Sequence, residues 1–397
     1  DTNLKTGGLF GMVNRTISGG RSVMNTFKKI TKIEELDLRS LSGLSAKHRT
    51  FLSVYFNGRK EWEHHKNNIK KIEVLLKEHP DELEHFRMNV KMLEGTLDKN
   101  IKNENANIAA FCCWAMDFCE VYSLPFKLTY NLFKVDSSPF IRPLAELNDE
   151  YESCAIVISD NRETKIYMMS SEKSNDLVKS IKGNIKNHVK VGGWSQKRYS
   201  RRRDKQIHHY VKDICEELVR LDNETDFNRI LFLGSEEILR SIKSSLPSSI
   251  KTSKELIDKI IDLGRSKNEI QAEIDALVGK LEIAEEKNLW SKIKNELFAG
   301  GLGVTGLNEV IDYAESGRLD SVIVEKAFNV SGARCRKCDH LQIDLSDCEK
   351  CNSADLYEVG IVNELVELLT QSSADIEFCE HIDELHQLGG IAGLLRY

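Results

Sequence analysis

The sequence predicts a protein of mixed α/β and α+β class, built as three domains with a small cysteine-rich insertion in the third. Three observations lead there. The chain has 397 residues, too many for one ordinary domain and enough for two or three separate cores. Between about residues 146 and 262, short β-branched runs alternate with helically spaced stretches, the order expected of an α/β domain. Four cysteines at 335, 338, 348 and 351 form two C-x2-C pairs separated by nine residues, the spacing of two metal-binding knuckles.

The bulk composition narrows the class. Hydrophobic residues make up 41% and charged residues 30%, which describes a soluble globular chain and excludes a disordered one. No apolar stretch approaches the roughly 20 residues that span a bilayer. The opening DTNLKTGGLFGMVNRTISGG has no apolar secretory core, so a cytoplasmic protein that makes no use of a membrane is expected.

Residues 1–30 read as a flexible arm, and residues 31–145 as a first domain. Within it FLSVYF has the β-branched and aromatic content of a strand. Two helical patterns follow, EWEHHKNNIKKIEVLLKEH and DELEHFRMNVKMLEGTLDKNI, with Pro80 as stop and restart. His64 and His65 fall on the first helix and are expected to be exposed. NIAAFCCWAMDFCEVYSL reads as two buried strands. SSPFIRPLAELNDE holds two of the chain's five prolines and reads as a domain boundary.

The central domain is expected at 146–262. It opens on two strands around a turn at Asp160–Asn161, continues through a basic block into the helix HHYVKDICEELVRL, and ends with RILFLGS, a buried strand, and the helix EEILRSI. The third domain, 263–397, starts with long charged amphipathic helices. LNEVIDYAESG, the strand DSVIVEK, the cysteine cluster and a further alternation ending in GGIAGLLRY complete it.

The four clustered cysteines differ from the other six. Cys112, Cys113, Cys119, Cys154, Cys215 and Cys379 are scattered and read as buried reduced thiols. Cys335, Cys338, Cys348 and Cys351 supply a full tetrahedral shell for one Zn2+, with no position left for a reactant. The expected unit is a structural zinc ribbon at 331–356. Its basic flanks, Arg334, Arg336, Lys337 and Lys350, would favour thiolates.

The basic block is the second signal. From Lys182 to Lys212 there are ten Lys or Arg and one acidic residue, Asp204, in a chain of net charge −6. Such segregation points to a polyanion. Arg198, Arg201, Arg202 and Lys205 fit one side of a helix that tracks phosphates. Gly192–Gly193, just ahead, would let the backbone approach a ligand closely.

At these residues the chain resembles the archaeo-eukaryotic class-I peptide chain release factors, a family that includes Pelota and bacterial homologues. Their central domain carries Gly-Gly-Gln-Ser, then a basic helix ending in His-x-Tyr-Val. Gly192, Gly193, Ser195, Arg198, Arg201, Arg203, His208, Tyr210 and Val211 fall on matching positions without gaps. SVYF, YESCAIVISDNRETKIYMM, LGVTGLNEVIDYAESGRLDSVIVEK, the ribbon and GGIAGLLRY extend the resemblance over most of residues 35–397.

The resemblance implies a three-domain release-factor-like architecture. It implies an A-site factor whose partners are the ribosome, its rRNA and peptidyl-tRNA, together with a translational GTPase of the release-factor or elongation factor Tu/1-alpha type, and a monomer off the ribosome. It also implies peptidyl-tRNA ester hydrolysis at the Gly-Gly tip. Trp194 stands at the family's Gln position, and Gln196 follows two residues later. Two readings stay open. Gly192, Gly193 and Gln196 are catalytic, or the GGWSQ loop only binds and the protein is a non-catalytic hibernation or stress factor. RNA binding falls to Trp194, Lys197, Arg198, Arg201, Arg202, Arg203 and Lys205. Asn68-Ile69-Lys70 resembles the family's codon-reading element, but Lys71 replaces its Ser and the run is helical in pattern, so stop-codon reading is not expected.

Overall fold

The computed structural model describes residues 24–397 apart from 31–34, 47, 102–104, 126, 151–153, 170–174, 184, 186–193, 226, 263 and 265. The first unit runs through β1 (Met24–Lys29), α1 (Leu38–Ser42), β2 (Phe51–Asn57), α2 (Gly58–Leu75) and α3 (Pro80–Asn100). It continues with β3 (Asn107–Cys113), β4 (Phe118–Leu124), β5 (Leu132–Asp136) and α4 (Arg142–Glu150). One sheet results, in the order β1-β4-β3-β2-β5. Side chains alternate across it, as the pleat requires. Leu52, Val54 and Phe56 of β2 join Trp62, Phe86 and Leu93 from the two helices, while Tyr55 joins Phe111 and Tyr122 in a second core.

Three expectations are corrected here. Met24–Lys29 belongs to the sheet, paired in parallel with β4, so the arm does not extend to residue 30. His65 is buried, its Nε2 lying 3.3 Å from the Tyr55 carbonyl and its ring 5.3 Å from that of Phe133. The stretch read as a boundary is core: Ile141 and Leu144 are buried. Pro80, by contrast, opens α3 as expected, where a missing N–H costs nothing.

The middle unit comprises β6 (Cys154–Ser159), β7 (Glu163–Met169), β8 (Asn175–Lys182), α5 (Trp194–Glu224), β9 (Arg229–Gly234), α6 (Glu236–Ser245), α7 (Ser248–Ser253) and β10 (Glu255–Ile260). Its sheet has the order β10-β9-β6-β7-β8, with β10, β9 and β6 parallel. The turn at Asp160 forms as predicted: its Oδ1 accepts N–H groups of Arg162 at 2.6 Å and Glu163 at 2.8 Å.

The third unit begins with α8 (Lys267–Ala299), a helix of 33 residues and so about 50 Å long. Ser266 and Glu269 form a capping box at its start, and Gly300, at φ 62°, ends it. Ile270, Ile274, Leu277 and Leu281 pack on the middle sheet, while Trp290, Ile293 and Leu297 pack on the third. One helix therefore serves both units. Then follow β11 (Gly303–Thr305), α9 (Leu307–Glu315), β12 (Leu319–Glu325), β13 (Ser331–Cys335), β14 (Leu341–Gln342) and β15 (Leu356–Gly360). The chain closes with α10 (Ile361–Ser372), β16 (Asp375–Cys379), α11 (Asp383–Gln387) and β17 (Ile391–Leu395). The main sheet is β11-β17-β12-β16, and a separate ribbon sheet is β14-β13-β15.

First and third units share a core, in which Tyr55, Phe111 and Ile141 lie with Leu307, Val362 and Leu365. Polar groups lock the seam. Asn363 Oδ1 accepts the N–H groups of Ile141 at 2.9 Å and Arg142 at 3.1 Å. The Arg142 guanidinium donates to Glu146 at 2.7 Å and to the carbonyls of Phe328 at 2.8 Å and Lys326 at 2.6 Å. Among the described residues no helix is long and apolar enough to cross a membrane.

Candidate functional site

Two places assemble the residues that the sequence singles out. The first is α5. Its buried stripe of Ile207, Tyr210, Val211, Ile214, Leu218 and Leu221 recurs at three- and four-residue intervals and seats the helix on the middle sheet. Tyr210 fixes the register, its hydroxyl 2.6 Å from Thr164 Oγ1, which lies 2.6 Å from Ser159 Oγ. The basic residues sit ahead of this stripe, on the amino-terminal turns.

They do not behave alike. Arg201, Arg202 and Lys205 are exposed, as is Tyr199 at 50%. Arg203 is committed instead to Glu237 of α6 through both terminal nitrogens, Nη2 at 2.6 Å. Gly192 and Gly193 lie outside the described residues. Trp194, Gln196, Lys197 and Arg198 belong to the first turns of α5. This corrects the expectation of a GGWSQ loop, since its last three residues are helical.

A cleft of about 1070 Å³ opens elsewhere, lined among others by Asp149, Glu282, Glu285, Glu286 and Glu377 and by no residue of α5. This cleft is thus separate from the basic helix.

The second place is the ribbon. Cys335 and Cys351 Sγ lie 3.5 Å apart, Cys338 and Cys348 Sγ 3.6 Å apart, and all four within 4.8 Å of one another. Tetrahedral Zn–S bonds of about 2.3 Å place thiolates about 3.8 Å apart, so the quartet fits such an ion. Each knuckle is shaped by the same local turn. Asp339 N–H returns to the Cys335 carbonyl at 2.9 Å, and Asn352 N–H to that of Cys348 at 2.8 Å. Asp339 at φ 60° and Asn352 at φ 52° are left-handed, a conformation Asp and Asn tolerate better than most residues.

Burial works against a Cys335 thiolate, but N–H groups of Cys338 and Lys337 and the neighbouring sulfurs outweigh it and bring the thiol down to about 7. The basic flanks contribute less than the sequence implies. Arg334 pairs with Glu364, Arg336 stacks on Tyr357 at 4.4 Å, and Lys350 Nζ binds Glu315 at 3.0 Å. His340 Nδ1 also meets Glu315 at 3.0 Å, so the ribbon is tied to α9 rather than hanging free.

One cluster was not legible in the sequence. Glu325, His381 and His386 converge at the end of β12. They are too far apart along the chain to form a motif, and only the pairing of β12 with β16 and β17 brings them together.

Fold and sites together define a multi-unit α/β protein with an exposed basic helix and a four-cysteine ribbon. Residues 139–262 match the model of the bacterial archaeo-eukaryotic release factor family 10. The peptide chain release factor subunit 1 of Methanocaldococcus jannaschii is 23% identical over 314 residues, covering 69% of this chain and 72% of its own. That of Archaeoglobus fulgidus is 24% identical over 311 residues, covering 70% and 74%. A crystal structure of an archaeal translation termination factor aligns at 17% identity over 93% of this chain and 99% of its own, with a TM-score of 0.26. The chain is thus similar to archaeo-eukaryotic release factors, through the family model over residues 139–262 and through these relatives over about 70% of its length.

Proposed function

We propose that this chain is a translation factor that occupies the ribosomal A site and releases or rescues nascent chains by hydrolysing the peptidyl-tRNA ester. The observation that carries the reading is the exposed basic face of α5, with Arg201, Arg202 and Lys205 free of the sheet, in a chain of net charge −6. Such a face seeks a polyanion and matches phosphates along RNA. The relatives' name, peptide chain release factor, supplies the reaction.

Trp194, Lys197 and Arg198 extend the RNA-binding surface to the amino end of α5, with Trp194 stacking on a base. Gly192 and Gly193 let the backbone close on the ester, and the Gln196 amide orients the attacking water. The water oxygen bonds to the ester carbonyl carbon, the bond from that carbon to the ribose oxygen breaks, and a proton from the water passes to that departing oxygen, leaving a ribose hydroxyl. Gln196 acts here from a first helical turn, whose N–H groups lack intrahelical partners and whose dipole favours negative charge. That environment suits charge developing on the carbonyl oxygen.

Cys335, Cys338, Cys348 and Cys351 hold a structural Zn2+, which stiffens the ribbon and takes no part in the reaction. The third unit meets a translational GTPase. Stop-codon reading is not part of the proposal, because residues 68–71 lie inside α2.

A second reading is favoured by Trp194, which stands where the family pattern has glutamine. In it the factor occupies the A site without chemistry. Peptide release from ribosomes carrying peptidyl-tRNA, stalled or at a stop codon, separates the two. Gln196→Ala should slow release on the order of 10²-fold, the scale for losing one orienting group, with ribosome binding retained. Wild-type chain that binds and blocks A-site tRNA but releases nothing would establish the second reading.

A further inference from the structure

We propose that Glu325, His381 and His386 form a second metal site, for a divalent first-row transition ion of the Zn2+ or Co2+ kind. Glu325 ends β12 with a side chain only 4% exposed, while His381, just before α11, and His386, in its last turn, are 59% and 65% exposed. A buried carboxylate thus looks out between two imidazoles that solvent reaches. His381 Nδ1 lies 3.2 Å from Glu325 Oε1, and His386 Nδ1 lies 2.8 Å from Oε2. At metal–ligand bonds of about 2.0–2.1 Å, neighbouring ligands stand roughly 2.9–3.4 Å apart, depending on geometry. Each imidazole is already at that spacing from the Glu325 carboxylate, and the three ligand atoms lie within 4.8 Å of one another.

The hydrogen bonding asks for a cation. Asp383 Oδ1 lies 3.0 Å from His381 Nε2, which favours the tautomer protonated there. In neutral His381 the lone pair then sits on Nδ1, directed at Glu325 Oε1, another acceptor. Oε1 has one donor besides, the Ile382 N–H at 3.1 Å. In that tautomer two acceptors face each other at 3.2 Å, a pair that a metal ion between them would satisfy. A carboxylate holding the far nitrogen of a liganding histidine is a recurrent arrangement around metals, and it fixes the tautomer that coordinates.

The backbone leaves room for this. Gly390 has φ +71°, and a Cβ there would come within 2.8 Å of the Phe328 ring and 3.4 Å of Glu325 Oε2. The donor set also differs from the ribbon's. Two nitrogens and a carboxylate suit harder ions than four thiolates do, and three ligands leave a position for water. Bound metal would pin α11 and the following glycines to the end of β12.

The full-length chain, stripped with a chelator and titrated with Co2+ alone, tests the proposal by uptake and absorbance. The wild type should take up a cobalt ion that lacks a thiolate-to-cobalt charge-transfer band, in addition to any ion that has one. His381→Ala/His386→Ala should lose the first ion and keep the second. Asp383→Asn should weaken the first about 10–100-fold, as expected for losing the partner of a liganding histidine. Both histidines are exposed, so the fold should survive, and His386→Gln alone gives a milder check. Wild type and double variant with the same uptake and the same spectra would overturn the proposal.

Discussion

The cations of α5 divide by their partners. Arg201, Arg202 and Lys205 face solvent, whereas Arg203 is held by Glu237. Of these four, only the first three can neutralise phosphates without breaking an ion pair. Replacing all three with Ala should lower the slope of log affinity for ribosomes against log salt by about 2, from 0.7–0.9 counterions per contact. Arg203→Ala should leave that slope nearly unchanged. Salt titration of ribosome binding decides it, and an equal loss from Arg203→Ala would contradict the division. This division was not legible in the sequence, because Arg203 matches the basic pattern as well as its neighbours do. The cysteine quartet was legible, since its ligands lie close along the chain. Glu325 with His381 and His386 was not, and the burial of His65 was missed because its adjacent residues, His64 and Lys66, are polar, although Trp62 and Ile69 share its helical face.

At the scale of elements, alternation decided what could be read. FLSVYF and RILFLG carry dense apolar runs, and both are strands. NDLVKSIK and ELIDKI mix charge and apolar residues, and both are outermost strands of the middle sheet. Edge strands bury one face weakly and so leave a weak pattern. MNTFKK hid for the same reason at the edge of the first sheet. Gly234 marks a constraint within the middle unit. Its φ is +135°, and a Cβ there would stand 2.0 Å from the Ser159 carbonyl oxygen. Gly234→Ala should destabilise the protein by about 3 kcal/mol through strain and the forced parting of β9 from β6. Chemical denaturation measures this, and a loss below about 1 kcal/mol would mean that the strand ends give way easily.

At the scale of the molecule, α8 joins the middle and third units, and a polar seam joins the third to the first. Glu367 lies in that seam, accepting bonds from Ser138 and from Asn363, each at 2.7 Å. Burial, then the neighbouring Glu364 carboxylate, push its carboxyl well above the usual range. A group raised on folding adds stability that is present below its unfolded pKa and lost as pH rises through the folded one. Glu367→Gln keeps a neutral acceptor, so the melting temperature of the wild type should fall relative to the variant between about pH 5 and pH 8. Parallel melting curves across that range would show that the seam does not hold the proton.

In the proposed reading, α5 addresses RNA at the peptidyl end of the A site. A structure of the chain bound to ribosomes carrying peptidyl-tRNA tests it most directly. Trp194 and Gln196 should lie beside the ester, with Arg201, Arg202 and Lys205 on rRNA phosphates. Density placing α5 in solvent, with the chain attached through another face, would contradict it.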